Sequence, residues 1–238
     1  MAVISRGFTG RSRGHTPELP PGQYLTTDFP VLSAGPTPDI GTADWSFSIR
    51  TDDTTLHSWS WDEIHTLPIE AIDTDIHCVT RWSKFGTSWR GVSIDTLFAG
   101  VETSDEYVMA HSYGGYTTNL PLQDLLGGKA WVAFEFEGEP LDPEHGGPAR
   151  LLIPHLYFWK SAKWIRSLEM MSSDEPGFWE QNGYNMYGDP WLEQRYWLPA
   201  GDIRTRDPGC TTAPDRPLAR RRRRLDSHRN PHRPQHRA

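Results

Sequence analysis

The sequence predicts an α+β fold with short helices and long loops, for three reasons. Hydrophobic residues make up 36% and aromatic residues 12% of the 238 residues, with 11 Trp, which supports a sizeable core built on aromatic rings. The 21 Gly and 20 Pro predict many turns and irregular connections. Short strand-like segments outnumber helical ones, and no internal repeat is visible.

Six segments are predicted as strands, because each is apolar or alternating and is bounded by turn residues. They are residues 45–50, 75–80, 107–112, 130–136, 150–153 and 163–171. The second delivers Cys78 near its end, and the third runs into the pair Gly114 and Gly115.

Short helices are predicted between the strands. Ser60 and Glu63 stand in a capping-box pattern that opens a helix ending at Pro68. Three more helix starts are predicted at Ser93, Pro121 and Asp174.

Charge divides the chain into an acidic body and a basic tail. Residues 204–238 hold 11 Arg and three Asp, whereas the remaining 203 residues hold 13 basic and 28 acidic side chains. Residues 1–19 are predicted as an extended lead-in and residues 20–198 as the folded domain. Residues 199–238 have almost no large apolar side chains, so they are predicted to be disordered.

The run ARRRRRL in this tail is typical of nucleic-acid or localisation patches. A solvated basic tail and a frame-shifted end of the gene are the alternatives. Nucleic acid is disfavoured as the main partner, because the body is acidic and phosphate contacts dominate such affinity.

Cysteine usage and the N-terminus predict a cytoplasmic protein. Two cysteines, Cys78 and Cys210, cannot build a disulfide framework, which favours a reducing compartment. The charged N-terminus is followed by no apolar stretch of a secretory signal, and no apolar run approaches membrane-spanning length.

Cys78 lies in the segment IHCVTRW, between His77 and Arg81. A lone cysteine on a strand is commonly a small buried hydrophobe. His77, Arg81 and Arg90 would instead lower its pKa if they shared its pocket, and a thiolate is a strong ligand for soft metals. The histidines show no zinc-type spacing, whereas a cysteine nucleophile with a distant histidine base stays open.

Two further segments carry polar groups on glycine-rich turns. HGGPAR followed by KSAKW offers turn amides with Arg150, Lys160 and Lys163, which suits a phosphate; a hairpin with surface charges is the alternative. In SYGGYTTNLP, the hydroxyl of Tyr116 could donate to an oxyanion, and the alternative is an ordinary polar loop.

Taken in order, HCVTRW, SYGGYTTNLP, HGGPARLLIP, KSAKWI and WEQNGYNMYGDPW resemble the molybdopterin-binding domain of the sulfite oxidase family in its bacterial single-domain form. The resemblance covers roughly residues 20–197. The segment YLTTDFPVLSAGPTP also resembles the one that enters the cofactor pocket. The resemblance implies the mixed-sheet molybdopterin-binding fold of that family, with short helices and long loops.

The resemblance also implies roles for particular residues. Cys78 stands where the family's cysteine supplies a thiolate to molybdenum, which is otherwise held by the pterin dithiolene and by oxo or hydroxo ligands. Tyr116 matches an active-site tyrosine near the substrate oxygen, and Arg81, with Arg90, is a candidate for the arginines around the substrate. The residues implied to hold the cofactor are Leu32, Ser33, Ala34, His77, His145, Arg150, Phe158, Trp159, Lys160 and Lys163.

The implied function is a molybdenum-cofactor-dependent oxidoreductase. It would perform two-electron oxygen-atom transfer on a small or side-chain S- or N-oxide, or on sulfite. A separate flavin or haem protein would carry the electrons, since the chain shows no motif for either group. The alternatives are a metal-free scaffold of the same fold whose basic tail contacts nucleic acid, and a cysteine hydrolase.

Overall fold

The computed structural model describes residues 18–51 and 54–197. The predictions for the tail, for Cys210 and for most of the lead-in lie outside these residues. In chain order the strands are β1 (Tyr24–Leu25), β2 (Ser46–Thr51), β3 (Thr54–Ser60), β4 (Glu70–His77), β5 (Trp82–Ser93), β6 (Tyr107–Ser112), β7 (Thr117–Pro121), β8 (Trp131–Phe136), β9 (Glu139–Pro140), β10 (Arg150–Leu152) and β11 (Ile165–Met171). The helices are α1 (Trp61–Ile64), α2 (Ile94–Leu97) and α3 (Phe178–Gln181).

The strands form two sheets. In the first, the order is β1-β5-β8-β10, with β4 also paired to β5 and β9 to β8; in the second it is β3-β2-β11-β6-β7. Most pairs are antiparallel, but β1 runs parallel to β5 and β2 runs parallel to β11. The result is the mixed-sheet architecture with few, short helices that the sequence predicted.

Two apolar clusters show how the sheets pack. The larger cluster joins buried side chains of both sheets, such as Phe47 of β2, Leu168 of β11 and Val132 of β8. The smaller one contains Ile76 and Trp89 from the first sheet together with loop residues. Because neighbouring side chains of a strand point to opposite faces, the first sheet is buried on both faces. The smaller cluster contains Cys78 and forms part of the candidate site.

The predicted strands are present with shifted ends. The segment 107–112 coincides with β6. The segment 75–80 overlaps only the last three residues of the longer β4, which stops at His77, so Cys78 lies in the turn after the strand and not on it as predicted. Five strands were missed, namely β1, β3, β5, β7 and β9. Of these, β1 and β9 are only two residues long, and β3 and β5 are polar for their length. In β5, Gly91 lies so close to β8 that a Cβ there would be 2.4 Å from the carbonyl oxygen of Val132. A glycine that looks like a strand breaker in sequence is therefore required by close strand packing.

Two of the predicted helix starts are confirmed and two need correction. Ser60 caps α1 in a full capping box with Glu63, and Ser93 caps α2. The helix predicted after Pro121 is a single 3-10 turn at residues 122–124. The prediction for Asp174 was wrong, because its carboxylate accepts a hydrogen bond from Asn119 instead (2.7 Å) and α3 begins later in the chain. No helix of the described residues is long and apolar enough to cross a membrane.

Candidate active site

A cavity of about 370 Å³ lies between the smaller apolar cluster and the β6–β7 hairpin. Its wall combines loop residues from the N-terminal segment, the turn after β4, the turns around β10 and the segment around α3. The predicted site residues that line it are Leu32, Ser33, Ala34, Cys78, Tyr116, His145, Arg150, Phe158, Trp159 and Lys163. The fold thus brings together, in one cavity, segments that are separated by more than a hundred positions in the chain.

Cys78 is positioned by the turn that joins β4 to β5. Its N–H donates to the carbonyl of Trp82 (2.8 Å), and its carbonyl accepts from the N–H of Arg81 (3.0 Å). The Sγ lies 3.1 Å from the hydroxyl oxygen of Thr80. Burial raises the pKa of Cys78, and hydrogen bonding to Thr80 and the charge of Arg195 offset part of that rise.

The raised pKa has a chemical consequence for Cys78. An activated cysteine nucleophile needs a lowered pKa, so the cysteine-hydrolase interpretation is disfavoured. A buried thiol that lines a cavity instead suits a metal ligand, because binding to a cation drives off the proton. We name Cys78, Thr80 and Tyr184 together the thiol wall of the cavity.

Tyr184 is a site residue that the sequence interpretation missed. It lines the cavity, and burial followed by Tyr196 and Cys78 raises its pKa, so the phenol stays protonated at neutral pH. Its ring stacks on Trp179 (centroids 4.9 Å apart) and meets Trp159 edge-on (5.2 Å). The motif WEQNGYNMYGDPW contains this residue and was the signal that could have identified it.

Arg150, Lys163 and His145 form a second part of the wall, which we name the cationic wall. The guanidinium of Arg150 is buried, donates to the carbonyls of His145 (2.8 Å) and Ser161 (2.7 Å), and lies 4.0 Å above the ring of Phe158. Burial lowers the pKa of Arg150 to about 9. No carboxylate of the described residues forms a salt bridge with it.

Lys163 shares this environment. Its ammonium donates to the carbonyl of Glu144 (2.8 Å) and to the hydroxyl of Ser33 (2.6 Å), and it too forms no salt bridge within the described part of the chain. Burial and then Arg150 lower the pKa of Lys163 to about 8. A buried cation beside a half-buried one, with no carboxylate partner in the described part of the chain, is costly unless an anion binds them, so this wall is suited to an anion such as phosphate.

His145 completes the cationic wall as a neutral group. Its ring stacks on Phe29, with centroids 4.0 Å apart and planes 10° apart. Burial and then Arg150 lower the pKa of His145, so the imidazole is uncharged at pH 7 and can donate one hydrogen bond.

Aromatic rings connect the two walls. The indole of Trp82, next to the Cys78 turn, lies 6.3 Å from Phe158, whose ring carries Arg150. The Nε1 of Trp82 is buried without a hydrogen-bond partner, although Trp82 lines the cavity. A buried donor of this kind is satisfied when a ligand supplies an acceptor.

Lys160 requires a correction, because the structure places it outside the cavity. Its side chain is fully buried, and its ammonium donates to Glu180 (2.7 Å), to two oxygens of Asn119 (2.8 and 2.9 Å) and to the carbonyl of Met186 (2.7 Å). All its donors are therefore used inside the protein, and Lys160 anchors the segment around α3 instead of a phosphate.

His77 and the two candidate arginines also lie outside the cavity. The imidazole of His77 contacts the hydroxyl of Ser83 (2.8 Å), because alternation along β4 points it away from Cys78. Arg81 is exposed in the turn with a φ of 80°, and Arg90 is exposed and pairs with Glu135 (3.1 Å). Tyr116 does line the cavity, but its hydroxyl donates to the carbonyl of Trp159 (2.7 Å).

Comparison with known proteins places this geometry in a family. Residues 34–179 match the model of the oxidoreductase molybdopterin binding domain. The chain is 42% identical over 191 residues to the uncharacterized oxidoreductase YuiH of Bacillus subtilis, covering 78% of this chain and 96% of that protein.

Other relatives are matched over smaller parts. The putative protein-methionine-sulfoxide reductase subunit YedZ1 of Azospira oryzae is 30% identical over 56% of this chain and 51% of its own length. The sulfite oxidase of Arabidopsis thaliana is 32% identical over 31% of this chain and 19% of its own length.

The fold also matches a solved structure. The sulfane dehydrogenase SoxCD from Paracoccus pantotrophus superposes with a TM-score of 0.53 at 17% identity, over 62% of this chain and 42% of that one. At this identity the match supports the fold, while the family model and YuiH support the relationship. The chain therefore belongs to the sulfite-oxidase-type family of molybdopterin-binding domains and is a molybdopterin-dependent oxidoreductase.

Proposed function

We propose that this chain binds a molybdenum-loaded molybdopterin and performs two-electron oxygen-atom transfer on a neutral S- or N-oxide. The observation that carries the proposal is a single cavity with a buried thiol in one part of its wall and, in another, two cations that form no salt bridge with a carboxylate of residues 18–51 and 54–197. This donor set fits a group that offers a soft metal and a phosphate. When bound, the cofactor would supply the oxygen-atom transfer itself.

The residues of the cavity would divide the remaining tasks. Cys78 would offer its thiolate to the metal, and Arg150 with Lys163 would hold the phosphate. The segment Leu32, Ser33 and Ala34 would close over the pterin, an arrangement supported by the contact from Ser33 to Lys163 (2.6 Å). The unpaired Nε1 of Trp82 would donate to a polar edge of the bound cofactor.

Tyr184 would bind the substrate through its phenol. It lines the same cavity as Cys78, and its phenol is protonated at neutral pH because burial raises its pKa. A phenol in this position can donate a hydrogen bond to the oxygen that is transferred. The role predicted for Tyr116 suits Tyr184 better, because the proton of Tyr116 is already donated to Trp159.

The thiol wall, which consists of Cys78, Thr80 and Tyr184, contains no cation, and this favours a neutral substrate over sulfite. Sulfite is an anion and needs cations beside the metal, but Arg81 and Arg90 lie outside the cavity. Aromatic residues instead line the cavity here, among them Phe178, Trp179 and Tyr184. The name of the Azospira relative, a putative protein-methionine-sulfoxide reductase subunit, supports an S-oxide.

Electrons would reach the site from a separate flavin or haem protein, and a cytoplasmic location stays a prediction.

The second candidate function, a metal-free scaffold whose basic tail binds nucleic acid, is not favoured by the cavity. A scaffold without cofactor would leave Arg150 and the half-buried Lys163 with no carboxylate partner among the described residues and the Nε1 of Trp82 with no acceptor, at a cost to stability.

Elemental mass spectrometry tests the proposal on full-length protein made in cells that synthesise the cofactor. The expected result is nearly one molybdenum per chain, together with reduction of methionine sulfoxide or dimethyl sulfoxide by a reduced viologen dye. The assay is repeated with sulfite as donor and ferricyanide as acceptor. Folded protein without molybdenum would overturn the proposal, and turnover of sulfite alone would overturn the substrate assignment.

A further inference from the structure

Two side chains from opposite ends of the described chain hold the turn that carries Cys78. Gln23 donates from its Nε2 to the carbonyl of Cys78 (3.0 Å), and Arg195 donates from Nη1 to the carbonyl of Val79 (2.6 Å). Arg195 also donates from Nη2 to the carbonyl of Pro21 (3.1 Å). One guanidinium therefore ties the Cys78 turn to the N-terminal segment that carries Gln23.

Arg195 is built into the protein as a fixed group. It is 5% exposed, and its guanidinium lies 4.9 Å from the centre of the Tyr157 ring. Its Nε donates to the half-exposed carboxylate of Glu193 (3.4 Å). A planar guanidinium presents its donors in a rigid fork, so two carbonyls bound to it are held in a defined relative position.

The turn itself needs such support. It reverses the chain between β4 and β5 within residues 78–81, and Arg81 adopts a φ of 80°, which is unfavourable for a residue with a side chain. Within it, the carbonyl of Cys78 accepts from the N–H of Arg81, and Gln23 adds a second donor to the same oxygen. Val79 has no partner for its carbonyl inside the turn and relies on Arg195.

We propose that Arg195, assisted by Gln23, is a positioning residue that fixes the peptide groups of Cys78 and Val79 and so directs the Cys78 Sγ into the cavity. Both residues lie outside the matched family segment, residues 34–179. The inference rests on the proposed function in one respect, that the thiolate is directed towards a metal. Its effect is on the geometry of the turn, which exists with or without the cofactor.

Amide hydrogen exchange in cofactor-free protein tests the turn directly. The peptide spanning residues 76–82 contains the amides of Cys78 and Arg81, which are both hydrogen-bonded in the turn. Arg195→Gln is expected to raise exchange in this peptide about 10-fold while peptides from β6 and β11 stay protected. Arg195→Lys keeps the charge but not the fork, so it is expected to restore protection only in part. Arg166→Gln, at an exposed arginine of β11, is the matched control and is expected to change nothing.

The molybdenum-loaded protein provides a spectroscopic readout. Arg195→Gln is expected to retain molybdenum but to give a shifted or split Mo(V) paramagnetic resonance signal, because the Sγ would take more than one orientation. Unchanged exchange in residues 76–82 together with an unchanged signal would overturn the inference. If wild-type protein holds no molybdenum, the proposed function fails while the exchange result still decides the role of Arg195.

Gln23→Met is a second variant that tests the inference even if Arg195→Gln fails to fold. It removes the donor to Cys78 without burying an unpaired charge, so the fold is expected to persist. Raised exchange confined to residues 76–82 in this variant supports the inference. Wild-type exchange in Gln23→Met, combined with a uniform rise over the whole chain in Arg195→Gln, would show that Arg195 acts only on global stability and would overturn it.

Discussion

The cationic wall and the thiol wall of the cavity are assembled in different ways. His145, Arg150 and Lys163 come from β10 and the turns beside it, within nineteen residues of chain that a sequence motif can cover. The thiol wall depends on Cys78, on Tyr184 more than a hundred residues later, and on Arg195 behind the turn. The residues that would anchor a phosphate are thus close together in sequence. The placement of a metal-binding thiol depends instead on contacts between both ends of the domain.

Removing the thiol is expected to have the largest effect. Cys78→Ala should lower oxygen-atom transfer by more than about 100-fold, since loss of an outer partner of a metal site already costs about 10–100-fold. Pterin and molybdenum should remain bound, because the cationic wall is untouched. The measurement is steady-state reduction of a sulfoxide beside elemental and pterin analysis. Full activity in Cys78→Ala would show that the thiol wall has been assigned to the wrong residue.

The two lysines near β10 give the next contrast. Lys160→Met should lower the free energy of unfolding by about 3–5 kcal/mol, because it leaves Glu180 buried without its cation. Urea denaturation of the cofactor-free protein measures this loss. The double variant Lys160→Met, Glu180→Gln should recover part of it, since no buried charge is left alone.

Lys163→Met is the matched variant on the cationic wall. In cofactor-free protein it should not lower the free energy of unfolding and should raise it slightly, because it removes a desolvated cation. It should weaken cofactor retention about 10-fold, as expected for loss of one charge-assisted hydrogen bond. Retention is measured as molybdenum left after extended dialysis. Equal destabilisation by both substitutions would mean that the distinction between an internal and a ligand-facing lysine is wrong.

Two tyrosines sharpen the assignment of the thiol wall. Tyr184→Phe should lower kcat about 10-fold, the equivalent of one hydrogen bond, with little change in stability. Tyr116→Phe should have the reverse pattern, because it leaves the carbonyl of Trp159 without its donor, at about 1–3 kcal/mol of stability. Turnover and urea denaturation of both variants are compared. A larger loss of kcat in Tyr116→Phe would restore the role that the sequence predicted for it.

The sequence identified what is local and missed what depends on distant partners. Short strands, the caps of α1 and α2 and the turn carrying His145 and Arg150 follow from neighbouring residues. Lys160 and Lys163 look equivalent in KSAKW, and only Glu180 and Asn119, brought in from other segments, make one of them internal.

The misses at the thiol wall have the same physical cause. Arg81 and Arg90 follow Cys78 in the chain, but turn and strand geometry point them to solvent. Arg195 is distant in sequence and sits in a segment with no recognisable motif, yet it contacts the residue next to Cys78. Resemblance to a family identifies the residues that the family shares. Contacts between the two ends of a domain, such as that of Arg195, are identified only from the folded structure.

The smallest expected effect is the pH dependence of the cationic wall. The pKa of Lys163 is lowered to about 8 and that of Arg150 to about 9. Below pH 8 both are protonated and attract phosphate, so cofactor loss during dialysis should rise a few-fold as pH increases from 8 to 10. In Lys163→Gln the loss should be faster at pH 7, and any further rise should begin only near pH 9.

The stability of cofactor-free protein should move in the opposite direction. Because the folded-state pKa of Lys163 lies below the ordinary value for lysine, the unfolded chain binds more protons above pH 8 and this residue then favours the fold increasingly. From pH 8 to 10, the unfolding free energy of the wild type should therefore increase relative to that of Lys163→Gln. If cofactor retention and unfolding free energy both rose or both fell with pH, Lys163 would not be a desolvated cation that binds an anion.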